Sequence, residues 1–404
     1  MDTKKKSIRK SDIKDSDKGI LISDLYKLLL STDSTSEELL KKLEIDFDKK
    51  EFIPIVGAQT LFNHLSAINT THIKKDLISN VKDIKFNFGE FFSFGFHNIS
   101  DSENYFGEKS IIAIPKYSSQ REFFSNLYSM DRYADKLIKN ELQKILDINL
   151  ELLQKEESKD RKYRLIYYKP EEKYYLRAIV STDNYFDYNN SIAVVIALLT
   201  LYTEMKNSGM EYSLKLCEYN ESNIRMFFDT HETRELSGIG KVKNLIEISN
   251  DEIKREALKF SGICSISYSD KNDNAELFIK PKDIKSKILT IKHNQKPENA
   301  LKSLLDFENV EEVHNELYED IKKIQKIKNP EQIKFLVRRK IENAKNDAIQ
   351  NYKSKIINEL SNSTTKNIIE LIQLFDKIHV FADEDIEATE YLRFVIFEAL
   401  INRK

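Results

Sequence analysis

Between Arg161 and His293 the chain passes through eight segments rich in β-branched and aromatic residues, RKYRLIYY, YYLRAIVS, YSLKLCEY, NIRMFFDT, VKNLIEIS, ALKFSGICSISY, AELFIK and SKILTIKH, separated by Asn, Asp, Glu, Gly or Pro. Each reads as a strand. One apolar helical stretch, about Asn189 to Lys206, interrupts them. After Pro297 the apolar period changes to that of a helix and stays there, through Val310, Val313, Leu317, Ile321, Ile324 and Ile327. Asn329 and Pro330 then supply an N-cap and a first-turn proline. A second stripe follows from Ile333 to Leu360, which predicts a single helix of roughly 30 residues and about 45 Å. Many strands around one helix, followed by helices alone, rule out regular βαβ repeats. The expected class is α+β: a mixed, mainly antiparallel sheet domain with one long inserted helix, plus an all-α C-terminal helical-hairpin domain.

Upstream, helical periods cover Asp24 to Leu30, Ser36 to Leu43 and Gln59 to Ile68. Short extended runs lie at Phe86 to Phe96 and Ser110 to Pro115, and a long amphipathic helix is expected over Arg121 to Lys155. The first 18 residues are charged and almost free of apolar side chains, the pattern of a mobile tail. The expected divisions are 1–20 (tail), 21–160 (N-terminal α+β region), 161–295 (β-rich core) and 296–404 (helical domain).

The best local signal is the hairpin around Lys169-Pro-Glu-Glu172. Pairing Tyr168 with Lys173 sets Leu165 opposite Leu176, Tyr167 opposite Tyr174 and Tyr163 opposite Ala178 on a core face. The other face then carries Arg164 opposite Arg177, Ile166 opposite Tyr175, and Tyr168 opposite Lys173. Facing guanidiniums are unfavourable unless an anion sits between them. Neighbouring tyrosines can stack bases. Arg164, Tyr168, Lys173, Tyr175 and Arg177 are therefore the expected nucleic-acid face, single strands favoured, with pairing to an internal carboxylate as the competing structural reading.

A second basic patch lies on the C-terminal helices. Residues 322–355 hold eleven Lys or Arg against three acids, whereas 298–320 hold eight acids against one Lys. Opposite charges on two arms of a hairpin attract across the rim. Alternatively, Lys334, Arg338, Arg339 and Lys345 form a phosphate-binding arm.

Enzyme signals are sparse. Nine glycines in 404 residues include no GxGxxG or GxxxxGK[ST] loop, and the seven histidines show no HxH or HExxH spacing. No catalytic residue, metal site or cofactor is expected. The loop Asp229 to Glu235 is the best of a poor set. Glu252, Ile253 and Lys254 fit the acid-x-Lys element of a metal-dependent nuclease, a pattern chance supplies freely in so charged a chain. Cys217 and Cys264 stand far apart without a CxxC, which fits a reducing, cytoplasmic setting. The longest apolar stretch, Ile192 to Tyr202, is too short to span a bilayer, so no membrane partner is expected. A formal net charge of -2 supplies no overall field towards nucleic acid, so any such affinity has to be local.

Three segments carry a family resemblance: LRAIVS (Leu176 to Ser181), YFDYNNS (Tyr185 to Ser191) before the apolar helix, and GIGKVKNLIEISNDE (Gly238 to Glu252) leading into ALKFSGIC. Together they resemble a family of phage- and plasmid-related proteins of unknown function, also found in prophage islands. The likeness covers about 90 residues. SNDE stands where the family has Asn-Ser-Glu, and no Asn-Gly follows Cys264. The resemblance implies a mobile-element context and no catalytic residue, and it singles out Arg177, Ser181, Asn190, Asn250 and Glu252 as matched polar positions. The leading expectation is a non-enzymatic, nucleic-acid-associated protein of this kind. The alternative is an assembly protein that oligomerises or docks a partner through its C-terminal helices, with the nuclease a minor third.

Overall fold

The computed structural model describes residues 4–29, 34–42, 50–99, 108–156, 160–253, 255–269, 275–281, 287–304, 307 and 310–402. The chain forms two compact units, one of His64–Phe186 with Ile253–Arg255, the other of Thr3–Asn63, Asp187–Glu252 and Glu256–Lys404. The fold is α+β, as expected. In chain order the elements begin with β1 (Lys6–Arg9), β2 (Ile20–Leu21), α1 (Ile22–Leu29), α2 (Ser34–Lys42), β3 (Phe52–Ile53) and α3 (Ala58–Thr71). Next come β4 (His72–Asn80), β5 (Ile84–Phe88), β6 (Phe92–Phe96), β7 (Ile111–Pro115), α4 (Ser119–Tyr128), α5 (Asp131–Lys139), α6 (Gln143–Glu156), β8 (Asp160–Tyr168) and β9 (Lys173–Val180).

Strands β4 to β9 make one six-stranded sheet in the order β4-β8-β9-β7-β6-β5, antiparallel except for the β7–β9 pair. Its core packs Phe86, Phe94 and Phe96 against Phe123 and Phe124 of α4, Leu137 of α5 and Leu146 and Leu150 of α6. Two corrections follow. The hairpin β8–β9 belongs to this N-terminal sheet, so the division at residue 160 does not exist. The single helix expected over Arg121 to Lys155 is three helices, because Ser129 and Glu141 adopt left-handed backbone (φ 53° and 56°) that ends α4 and separates α5 from α6.

The second unit continues with α7 (Asn190–Ser208), β10 (Ser213–Tyr219), β11 (Asn223–Leu236), β12 (Gly240–Asp251), β13 (Leu258–Ser267), β14 (Glu276–Ile279) and β15 (Lys287–Ile291). Its helices are α8 (Pro297–Leu304), α9 (Val310–Lys322), α10 (Pro330–Glu342), α11 (Asp347–Asn362), α12 (Ile368–Phe381) and α13 (Ile386–Phe397). The strands form a sheet ordered β1-β10-β11-β12-β13-β14, with β15 also on β13. The supposed tail supplies β1, which pairs antiparallel with β10 from Lys6↔Tyr219 to Arg9↔Leu216. This edge strand escapes sequence reading because it is only 4 residues long and mostly polar.

The sheet curls strongly. Register shifts interrupt β10, β11 and β13, and β-bulges sharpen twist. Lys215 of β10 thereby reaches Glu276 of β14 at 2.7 Å, although three strands lie between them in hydrogen-bond order. On the face of β13 that carries Gly262 and Cys264, α9 packs close. A Cβ on Gly262 would stand 2.7 Å from Val313 Cγ1 and 2.8 Å from Leu317 Cδ1, so only glycine permits this approach.

The C-terminal helices share one apolar core with β12, β13 and β14, so they are a layer on the sheet and not a domain of their own. Asn329 and Pro330 cap α10 as expected. The single long helix after them is two, because Asn346 caps a new one, its side-chain oxygen accepting from the Ala348 N–H at 2.8 Å. No described helix is long and apolar enough to cross a membrane.

Candidate functional site

The structure places the five hairpin residues differently from the expected basic surface. Near the turn the register holds, with Tyr168↔Lys173, Ile166↔Tyr175 and Leu165↔Leu176. Then β9 carries one extra residue, Arg177, so that Arg164 faces Ala178 and Tyr163 faces Ile179. The bulge removes the arginine pair. Arg164 and Arg177 are each 0% exposed. Arg164 is held from both sides: its Nε donates to Asp76 of β4 at 3.3 Å and its Nη1 to the Tyr185 hydroxyl at 2.7 Å. Asp76 sits directly opposite Arg164, on a strand absent from the sequence reading. Tyr175 is buried and its hydroxyl donates to Glu171, while Tyr168 rests against His72 with ring centroids 4.7 Å apart. Only Lys173 of the five is exposed.

On the helices, Lys334 is buried against Glu331 at 2.6 Å and donates to the Ser363 carbonyl, and Arg338 pairs with Glu342 at 2.7 Å. Arg339 and Lys345 are exposed. Among the described residues, two ion pairs that join the charge-biased segments run along the chain, Lys322 with Glu319 and Lys323 with Asp320. Lys334 is thus unavailable to a phosphate arm.

Three of the matched polar positions converge in a buried knot at the start of α7. The Asn190 N–H donates to Glu252 Oε1 at 2.7 Å, and Asn250 Nδ2 donates to the Tyr188 carbonyl at 2.9 Å and to Asn190 Oδ1 at 3.1 Å. A carboxylate at a helix N-terminus satisfies free N–H groups and complements the dipole, so the knot ties α7 to the end of β12. Glu252 is 0% exposed, and its Oε1 is engaged by the helix N-terminus. Lys254 of the nuclease pattern lies outside the described residues. Ser181 is exposed and accepts from the Asp183 N–H at 3.3 Å, a local turn contact. Among the described residues no group of three His, Cys, Asp or Glu side chains could hold a metal ion.

Sequence reasoning missed a charged centre inside the curled sheet. Glu218 of β10 and Arg225 of β11 are cross-strand neighbours. Arg393 of α13 grips Glu218 with both terminal nitrogens at 2.8 Å, and Lys5 adds a third contact at 2.9 Å. Arg225 reaches Glu247 at 2.8 Å, Glu256 at 2.7 Å and Glu390 at 3.2 Å, and Lys280 joins Glu247 to Glu390. Burial works to raise the Glu218 carboxyl, but Arg393 and Lys5 outweigh it and hold the group below the usual carboxylate range. The signal was present: single charges stand inside otherwise apolar runs, Glu218 in LCEY, Arg225 in NIRMFF, Glu247 in NLIEIS and Arg393 in LRFVIF. Such positions are costly unless paired.

Above this centre opens a cavity of about 360 Å³. Ser7 and Arg9 of β1, then Lys10 and Ser11, line one side; Lys215, Leu216 and Glu218 of β10 and Glu276 and Phe278 of β14 form the floor; Asp376, His379 and Val380 of α12, with Asp383, Thr389 and Arg393, close it. Arg9 and Lys10 are exposed at the mouth. Deeper, Asp376 and His379 lie one turn apart on α12. Burial pushes the Asp376 carboxyl up, more than the 2.7 Å hydrogen bond from the Tyr268 hydroxyl brings it down. Burial, reinforced by the Arg393 charge, lowers His379 to about 3, so its ring is neutral at pH 7. The His379 Nε2 is buried with no hydrogen-bond partner among the described residues. A larger open groove of about 1060 Å³ is lined by Glu204, Glu311, Glu312, Glu316, Glu319 and Asp320, a surface that repels polyanions.

No family model, curated protein or solved structure matches this chain.

Proposed function

We propose that the protein binds a nucleotide, free or at the end of a single strand, in the cavity at the mouth of its curled sheet. One observation carries the reading: exposed cations (Arg9 and Lys10) line a cavity that also holds apolar side chains (Leu216 and Phe278) and polar groups whose protonation is shifted (Asp376 and His379). Perturbed groups gathered in a concave site are the usual mark of binding or catalysis. The volume, about 360 Å³, suits a ligand of mononucleotide size.

The charges divide by depth in the way such a ligand requires. Arg9 pairs with Asp383 at 3.2 Å, but both side chains are nearly half exposed, so the pair is weak and yields to a phosphate. Arg393 and Glu218 are buried and doubly bonded, so they stay together and hold the floor rigid. Base edges carry donors and acceptors that match Asp376 and the unsatisfied Nε2 of His379. On this reading nucleic-acid association belongs to the cavity and not to the β8–β9 face.

Calorimetric titration of the full chain with inorganic phosphate, each common mononucleotide and a short oligothymidylate tests the reading. Binding of at least one nucleotide, weakened about tenfold or more by R9A/K10A, supports it. Tight strand binding with weak mononucleotide binding assigns the strand end as the source. No binding of any probe at low salt overturns it.

A further inference from the structure

Helix α6 is apolar on two faces. Leu146, Leu150 and Leu153 are buried, the first two in the core of the first unit, which accounts for one face. The second face carries Ile145, Ile148 and Leu152, 42%, 58% and 54% exposed, with Leu142 just before the helix at 43%. At 100° per residue Ile145, Ile148 and Leu152 fall within one narrow stripe, and from Leu142 to Leu152 it runs about 15 Å. Isolated exposed apolar residues need no explanation, but a continuous stripe on a helix marks an interaction surface.

Charges beside the stripe identify the occupant. Lys144, Glu151 and Lys155 flank it, Glu141 precedes it, and all four are exposed. A second α6 laid parallel about a two-fold axis sets Lys144 level with the partner's Lys144 and Glu151 level with the partner's Glu151, on opposite flanks of the seam, where no opposite charges meet. Laid antiparallel about a two-fold axis next to Ile148, it sets Lys144 across from the partner's Glu151 and Glu141 near the partner's Lys155. The same surface then meets itself with opposite charges matched and the apolar residues in the centre, as a two-fold interface requires. From this complementarity we infer that α6 is a self-association face and that two copies of the chain pair antiparallel through it.

The interface is small. A helix of 14 residues packed on its copy falls at the low end of specific interfaces, the size class of reversible association. This inference differs from the expected assembly through the C-terminal helices, and it does not depend on what the cavity binds.

Sedimentation velocity on the full chain, from low micromolar to several hundred micromolar, is the test. The wild type shifts from monomer to dimer with rising concentration. I148E, at an exposed position that leaves the core intact, remains monomeric with an unchanged circular dichroism spectrum. K144E weakens the dimer, and K144E/E151K restores it. A wild type that stays monomeric throughout, or a dimer indifferent to I148E, overturns the proposal. A charge swap that fails to restore association overturns the antiparallel pairing.

Discussion

Replacing Glu218 by Gln keeps the shape of the side chain and removes its charge. Arg393 and Lys5 then lose the carboxylate that both contact at 2.8–2.9 Å, deep in the second unit. Breaking a buried pair by removing one partner costs about 3–5 kcal/mol, because the remaining charge is left uncompensated. At roughly 2–4 °C per kcal/mol for a unit of this size, the calorimetric midpoint falls by roughly 6–20 °C. The pH dependence follows from the depressed carboxyl. A group held below its unfolded value of about 4.3 contributes stability above that pH and loses it as the pH falls towards the folded value. Wild-type stability therefore declines on acidification below about pH 4.5, and E218Q shows a shallower decline over the same window. In a double-mutant cycle with R393M the two costs add to more than the cost of the double variant, since each single change already breaks the contact. A midpoint within about 2 °C of wild type, or strict additivity, would refute the claim that this pair braces the curled sheet.

Three further outcomes are expected. G262A brings a methyl group against Val313 and Leu317 and lowers stability by about 1–3 kcal/mol in denaturant titrations, whereas G89A, where nothing lies within 4 Å, has a much smaller effect. N250A leaves the Tyr188 carbonyl and the Asn190 side chain without their donor at the start of α7, costing about 1–3 kcal/mol and lowering protection of the α7 amides in hydrogen exchange. Cys217 and Cys264 are buried with thiols pushed up by burial, the latter to about 12, so both react with a thiol reagent only as fast as the second unit opens.

Periodicity revealed most elements of the second unit and the apolar helix among its strands, because those signals are local. The hairpin register was legible from Tyr168 to Leu165, where a short turn sets it, and was lost at Arg177, where one inserted residue flips every position beyond. No local pattern announces such a bulge. Asp76 as the partner of Arg164 depends on a strand pairing across 88 residues, and β1 depends on an edge offered by β10 from far along the chain. The cavity was hidden for the same reason: its lining comes from residues near 7–11, 215–218, 276–278 and 376–393, which only the curl of the sheet assembles. Isolated charges in apolar runs were the available hint, and they point to the paired floor more than to the opening above it. The matched polar positions illustrate a different limit. Asn190, Asn250 and Glu252 stand together in space, yet their contacts are those of a helix cap.

The most direct test of the cavity reading is a crystal of the full chain soaked with the mononucleotide that binds best in solution. The account predicts density inside the cavity, with the phosphate against Arg9 or Lys10 and the base between Phe278 and the Asp376–His379 side of α12. Density for the nucleotide elsewhere on the protein, with the cavity unchanged, would contradict it.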